Sequence, residues 1–283
     1  MRWTCLVLLG VCVVVTGCSK ESESKPLICH VGGTMRPVME HLAELYQKER
    51  DVVIEINSAG SGELLAHIEG QKEGDLYVCH DPFIDILMKK HHLGVNGWEL
   101  AELTPVIVVP KGNPKKIKGL TDLTRADVDL WLTDYQRSTL GRMLRTIFAK
   151  AGIDFDQLNR DKKINTHKSG GHVANMVKTG NGDAAMCWNA VAALRRDGLD
   201  VVPIATEYLP IPRVDTVTSA TGKAWPLTPV RVTIATLKCS ESPQASQAFA
   251  EFVASARAAE VLKEFGFTIS TPKKLYENGV EVP

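Results

Sequence analysis

The sequence predicts an α/β protein of two doubly wound lobes joined by two crossing strands. Three observations predict it. Short apolar runs alternate with segments whose apolar residues recur at helical spacing, as parallel strands covered on both faces require. The alternation occurs twice, on either side of a Gly112-Asn113-Pro114 turn. A last β-branched run, from Val230 to Thr236, then carries the chain back from the second series.

The amino terminus stands outside this pattern. Arg2 and the apolar stretch from Cys5 to Val15 form a targeting segment, residues 1–17, too short to span a bilayer comfortably. Val15-Thr16-Gly17-Cys18 is similar to the lipobox of bacterial lipoproteins, which implies that Cys18 is lipidated and holds the protein to a membrane. The alternative is a simple signal peptide with an incidental cysteine. The polar run that follows has nothing to bury, so residues 18–25 read as a tether and the folded body begins near Pro26.

In the first lobe the strands are Leu27 to Val31, Val52 to Ile56 and Leu76 to Cys79. Val38, Leu42 and Leu45, then Leu64, Leu65 and Ile68, mark the two crossover helices between them. Val106 to Val109 is a strand at which the chain leaves this lobe. The second lobe has strands at Val128 to Leu132, Ala184 to Trp188 and Val201 to Ile204, with helices at Gly141 to Ala151 and about His172 to Thr179. An irregular stretch rich in Pro and Thr, Leu209 to Thr228, precedes the returning strand. Helices Pro243 to Ser255 and Ala258 to Phe265 complete the first lobe. The expected division is 26–106 with 229–283 for lobe I and 107–228 for lobe II. Two such lobes make a hinge and a cleft, with ligands outside the carboxyl ends of the strands.

The formal charge is zero, which argues against nucleic acid or an extended anionic surface as partner. With 44% hydrophobic residues the chain can fill two separate cores. Beyond Cys18 there are four cysteines, Cys29, Cys79, Cys187 and Cys239, without the short spacing of a zinc ribbon or redox pair. No Gly-x-Ser-x-Gly elbow, Walker loop or His-Glu-x-x-His motif occurs. Only Cys79 with His80 offers a nucleophile beside a base, and the expectation is a protein that is not an enzyme.

Four strand-to-helix junctions are built of small, hydroxyl-bearing residues: Gly32-Gly33-Thr34, Ser58-Ala59-Gly60-Ser61-Gly62, Ser138-Thr139-Leu140-Gly141 and Ser169-Gly170-Gly171. Any one of them reads as an ordinary helix cap. Several helix starts converging on one cleft, with unpaired amides and a partial positive charge, form an anion site without any lysine or arginine.

On these residues the chain resembles the molybdate-binding components of ABC importers, a family of two-lobed periplasmic binding proteins of type II, from Ile28 to Ile269. Val31-Gly32-Gly33 with Thr34, Gly60-Ser61-Gly62 before Leu65-Ala66-His67-Ile68-Glu69, Gly74 to Asp81, and Glu264-Phe265-Gly266-Phe267-Thr268 carry the resemblance. It implies a monomeric extracytoplasmic receptor that delivers molybdate or tungstate to a membrane permease, without a cofactor or a metal ligand set of its own. The contacts it implies are hydroxyls of Thr34 and Ser61, amides of Leu140 and Gly170, and Trp188 in place of a tyrosine. His80 stands where the family has an alanine.

Donors alone satisfy a fully deprotonated dianion such as molybdate, tungstate or sulfate, whereas hydrogen phosphate also needs an acceptor for its proton. Asp81, before a proline, reads as a helix N-cap; pointing into the cleft, it would favour phosphate or arsenate. The pairs Cys29-His30 and Cys79-His80 leave three readings open: core packing, a soft metal ion such as copper or zinc, and a Cys29–Cys79 disulfide.

Overall fold

In the computed structural model, which describes residues 25–136, 138–212, 214–218, 224–226 and 230–283, two mixed sheets lie in two lobes. The targeting segment, Cys18 and most of the tether lie outside the described residues.

The first sheet begins as the apolar runs require. Strands β1 (Leu27–Gly32), β2 (Ile54–Ala59) and β3 (Leu76–His80) pair in parallel about β1. Helices α1 (Arg36–Glu49) and α2 (Ser61–Gln71) make the crossovers. Val38, Leu42 and Tyr46 of α1 are buried on one side of the sheet, and Leu64, Leu65 and Ile68 of α2 on the other. After a short helix α3 (Phe83–Asp85), continued by a π turn over Ile86–Lys90, comes β4 (Gly94–Glu102), a nine-residue strand absent from the sequence expectation.

The chain then passes through Leu103 and Thr104 into the second sheet. Strand β5 (Pro105–Pro110) is followed by a 3₁₀ turn at Leu120–Thr124, β6 (Leu130–Thr133), α4 (Thr139–Lys150), α5 (Phe155–Asp161) and β7 (Asn165–His167). Helix α6 (Gly170–Lys178), β8 (Ala184–Trp188), α7 (Asn189–Ala193) and β9 (Leu199–Pro203) complete it, in the order β7-β6-β8-β5-β9. After a 3₁₀ turn at Thr206–Tyr208, the stretch expected to be irregular holds a two-stranded ribbon, β10 (Thr216–Thr218) with β11 (Ala224–Pro226).

Strand β12 (Arg231–Leu237) returns to the first sheet, antiparallel to both β3 and β4. Helices α8 (Pro243–Val253) and α9 (Ala256–Glu264) pack against α1, and a terminal ribbon, β13 (Lys273–Glu277) with β14 (Val280–Glu281), extends the edge. The full order is β14-β13-β4-β12-β3-β1-β2. Strands β5 and β12, expected to cross between lobes, each belong wholly to one sheet; the crossings are made by the residues just before them. There Leu103 N–H donates to the Val230 carbonyl at 2.8 Å, tying the two connections together. Asn189 clamps the same place: its Oδ1 accepts from Thr104 N at 3.0 Å, its N–H donates to the Thr104 carbonyl at 2.9 Å, and its Nδ2 reaches Thr268 Oγ1 at 3.0 Å.

Candidate functional site

Between the lobes, at the carboxyl ends of the strands, lies a cleft of about 740 Å³. All six contact positions expected from the sequence line it: Thr34, Ser61 and His80 from the first lobe, Leu140, Gly170 and Trp188 from the second. A wider concavity of about 1020 Å³ opens elsewhere on the second lobe, at the opposite end of β6. Five aspartates, Asp127, Asp129, Asp154, Asp161 and Asp183, outnumber Lys162 and Lys163 in its lining and make it a poor host for an anion.

Ser61 is the first residue of α2, and Gly60 occupies the cap position. The Ser61 side chain is therefore not capping the helix. Glu63 Oε2 accepts the Gly60 N–H at 3.1 Å instead. The Ser61 residue is only 6% exposed, and its Oγ is buried with no hydrogen-bond partner. Such a hydroxyl costs roughly 1 to 3 kcal/mol of desolvation until something occupies it. Gly32 makes the geometry possible, because a Cβ there would stand 2.5 Å from Ser61 Oγ. Helix α1 likewise starts without a side-chain cap, just after half-buried Thr34.

In the second lobe the helix starts are capped. Ser138 Oγ accepts from Gly141 N at 2.9 Å, and Ser169 Oγ from His172 N at 3.3 Å. The amides of Leu140 and Gly170 precede those consumed by the caps and the first intrahelical bonds, so they remain directed out of the helix ends. Gly141 has to be glycine: any Cβ there would overlap the Asp134 carbonyl. Trp188 ends β8, mostly buried, and its indole N–H has no acceptor among the described residues.

The sequence reading missed one hydroxyl and three cations of the lining. Thr133, at the end of β6 and 2% exposed, also has a buried hydroxyl with no partner. Arg142, Lys168 and Arg195 bring three cations to the lobe II wall, against the single carboxylate Glu63 on the lobe I wall. A site without lysine or arginine is thus not what folds. His172 of α6 stacks on His167 with ring centres 3.9 Å apart and is not part of the lining.

His80 Nδ1 lies 2.9 Å from the Asp81 carbonyl, so that nitrogen carries the proton and donates. Burial pushes the imidazole below its ordinary range, which keeps it neutral. Its Nε2 is then a lone-pair acceptor with no partner among the described residues. Asp81 neither caps a helix nor enters the cleft. Its carboxylate is buried against Arg231, with Nε and Nη2 donating at 2.7 and 2.9 Å and the Arg231 backbone N–H at 3.0 Å.

The cysteine-histidine pairs come apart. Cys29 and Cys79 face opposite sides of the first sheet, in separate apolar clusters, and are free thiols. Burial pushes Cys79 up to about 12 and raises Cys29 further. His30 is buried and occupied at both ring nitrogens, by the Glu73 carbonyl at 3.1 Å and Asn57 Nδ2 at 3.2 Å. Among the described residues there is no group of three or more His, Cys, Asp or Glu placed to hold a metal ion.

The bacterial extracellular solute-binding protein family matches residues 28–268. The chain belongs to that family. Its members bind solutes rather than transform them, and the protein is an extracellular solute-binding protein, not an enzyme. It is 25% identical over 212 residues to the molybdate-binding protein ModA of Mycobacterium bovis, covering 74% of this chain and 71% of that one. Among solved structures, the periplasmic molybdate-binding protein of Azotobacter vinelandii superposes with a TM-score of 0.64 at 13% identity, over 86% of this chain and 99% of that one. L-Phospholactate-bound PEB3 of Campylobacter jejuni superposes with a TM-score of 0.66 at 15% identity, over 86% of this chain and all of the other.

Proposed function

We propose that this receptor captures a tetrahedral oxyanion, molybdate or tungstate, in the inter-lobe cleft and passes it to the permease of an ABC importer. One observation carries the reading: a buried, unpartnered Ser61 hydroxyl at an uncapped helix start, facing a wall with three cations. Thr34 and Trp188 add donors, and the amides of Leu140 and Gly170 close the other side. Distant similarity to ModA supports the choice of ligand. The protein works as a monomer whose two lobes close by bending at Leu103–Thr104 and at the return before Arg231. Cys18 anchors it to the membrane, and Cys18→Ala releases it into the soluble fraction without changing binding. A thermal-shift panel of molybdate, tungstate, sulfate and phosphate tests the ligand. At a hundred times its dissociation constant the correct anion stabilises by about 2.7 kcal/mol. No shift with any of the four rejects the oxyanion reading.

His80 favours a second reading. Its Nε2 lone pair is the acceptor that a protonated anion such as hydrogen phosphate requires, and one structural neighbour holds L-phospholactate. The pH dependence of affinity separates the two. A fully deprotonated dianion draws a proton onto His80, so its affinity rises as pH falls toward and below the ordinary histidine range of about 6.5. An anion that donates its own proton to neutral His80 binds more weakly as pH falls through the same range.

A further inference from the structure

The lobe II wall carries three features that meet at the start of α6. Thr133 Oγ1 is buried and unpartnered, and Thr133 Cγ2 would lie 3.8 Å from a Cβ on Gly170. The amides of Gly170 and Gly171 begin the helix, ahead of the amide that Ser169 caps. Arg195 Nη2 would lie 3.1 Å from a Cβ on Gly171, so it sits over that same turn. The guanidinium is not a free surface charge. Nε donates to Asn175 Oδ1 at 2.6 Å and Nη1 to the Val191 carbonyl at 2.9 Å, which fixes its plane and leaves Nη2 without a protein acceptor among the described residues. A half-buried guanidinium with an unused edge, a stranded hydroxyl and two helix-start amides share one chemical preference, an oxyanion.

Within the oxyanion reading, we infer that Thr133 and Arg195 are binding residues: Thr133 Oγ1 donates to one oxygen of the anion and Arg195 Nη2 to another, at the amide start of α6. Lobe II therefore meets the anion with a formal charge, and part of the selectivity for a dianion over a monoanion lies there. Gly171 keeps the approach of Arg195 to the helix start open. Any Cβ on Gly171 would press on the guanidinium.

The test uses calorimetric titration of the parent, Thr133→Val, Arg195→Met and Ser61→Ala with whichever of molybdate, tungstate, sulfate or phosphate the parent binds most tightly. Thr133→Val keeps the shape and removes the hydroxyl, so affinity falls about tenfold or more while the ligand-free protein melts no lower than the parent. Arg195→Met weakens binding by a similar factor and flattens its dependence on salt concentration, because a formal charge has left the site. The salt response is the readout that a merely structural arginine would not move. Unchanged affinity in Thr133→Val, or an unchanged salt response in Arg195→Met, overturns the inference, even where Ser61→Ala still loses affinity and the oxyanion reading stands. If the parent binds none of the four anions, it is the oxyanion reading itself that fails.

Discussion

The two walls of the cleft are built differently. On the lobe I wall α1 and α2 begin without side-chain caps, a serine hydroxyl is left unpartnered, and no lysine or arginine reaches the lining. On the lobe II wall α4 and α6 are capped by Ser138 and Ser169, and three cations line the surface. Lobe I offers a hydroxyl and helix starts with no cation in the lining, whereas lobe II adds three cations to its own helix-start amides and the Thr133 hydroxyl. A serine at a helix start therefore has opposite uses in the two lobes, and only the hydrogen-bond pattern tells them apart.

The largest effect expected of any single change lies under the lobe I wall, where β3 hands over to α3. Asp81 is 2% exposed and paired at two oxygens with Arg231 of β12. Asp81→Ala strands a guanidinium in a site built for a carboxylate, and loses about 3 to 5 kcal/mol of stability. Urea denaturation measures it. A loss under about 1 kcal/mol would mean that Arg231 turns to Asp85, 3.6 Å away, and that the wall is not held by this pair.

Ser61→Ala and Ser138→Ala then test the comparison directly. Removing the Ser61 hydroxyl takes a bond from a charged ligand, worth roughly 1.5 to 3 kcal/mol, so oxyanion affinity falls about ten- to a hundredfold while the free protein is unharmed. Removing the Ser138 hydroxyl takes away a cap, so about 1 kcal/mol of stability is lost and affinity stays close to the parent. Titration and thermal melting on both variants read the crossed pattern. The same response from both would show that the two helix starts are alike.

This difference was half legible in the sequence. The parallel strands, their crossover helices and all four small-residue junctions could be read from apolar spacing and composition, and the junctions do converge on one cleft. What could not be read depends on contacts between distant segments. Strand β4 escaped because Gly94-Val95-Asn96-Gly97-Trp98 has no continuous apolar run, although β12 and β13 flank it in the sheet. Arg195 sits in Arg195-Arg196-Asp197-Gly198, a sequence that reads as solvated surface until Asn175 and the Val191 carbonyl fix it toward the cleft. Thr133 gave no signal at all, since a threonine at a strand end is ordinary. Asp81 was read as a local cap because its partner is 150 residues away.

A smaller effect concerns pH. Burial lowers the His80 imidazole below its value in the unfolded chain, so the unfolded state takes up a proton more readily as pH falls through about 6.5. That contribution to stability is fully present above this range and is lost below it. The nearest charges, Asp81 and Arg231, are satisfied by each other and leave burial as the main cause. His80→Gln is expected to show a shallower loss of stability between pH 7 and pH 5 than the parent in urea titrations. An unchanged slope would mean that His80 is solvated rather than buried.

The smallest effect expected is at the mouth of the cleft, where the two walls touch. Lys168 of lobe II lies 3.8 Å from Glu63 Oε1 of lobe I, with both side chains about two-thirds exposed. Exposed pairs of this kind contribute between about 0 and 1 kcal/mol and are screened by salt. Glu63→Gln removes the charge but keeps an oxygen able to accept the Gly60 N–H, as Oε2 does now. The start of α2 is thus preserved, and any change reports on the contact between lobes alone. Affinity for the preferred oxyanion is expected to change less than about threefold, with melting temperature unaltered. A larger loss that disappears in high salt would show that the mouth holds the lobes closed. In that case the difference between an open, hydroxyl-bearing wall and a charged one would govern how the anion is chosen, while the Glu63–Lys168 contact governed how firmly it is kept.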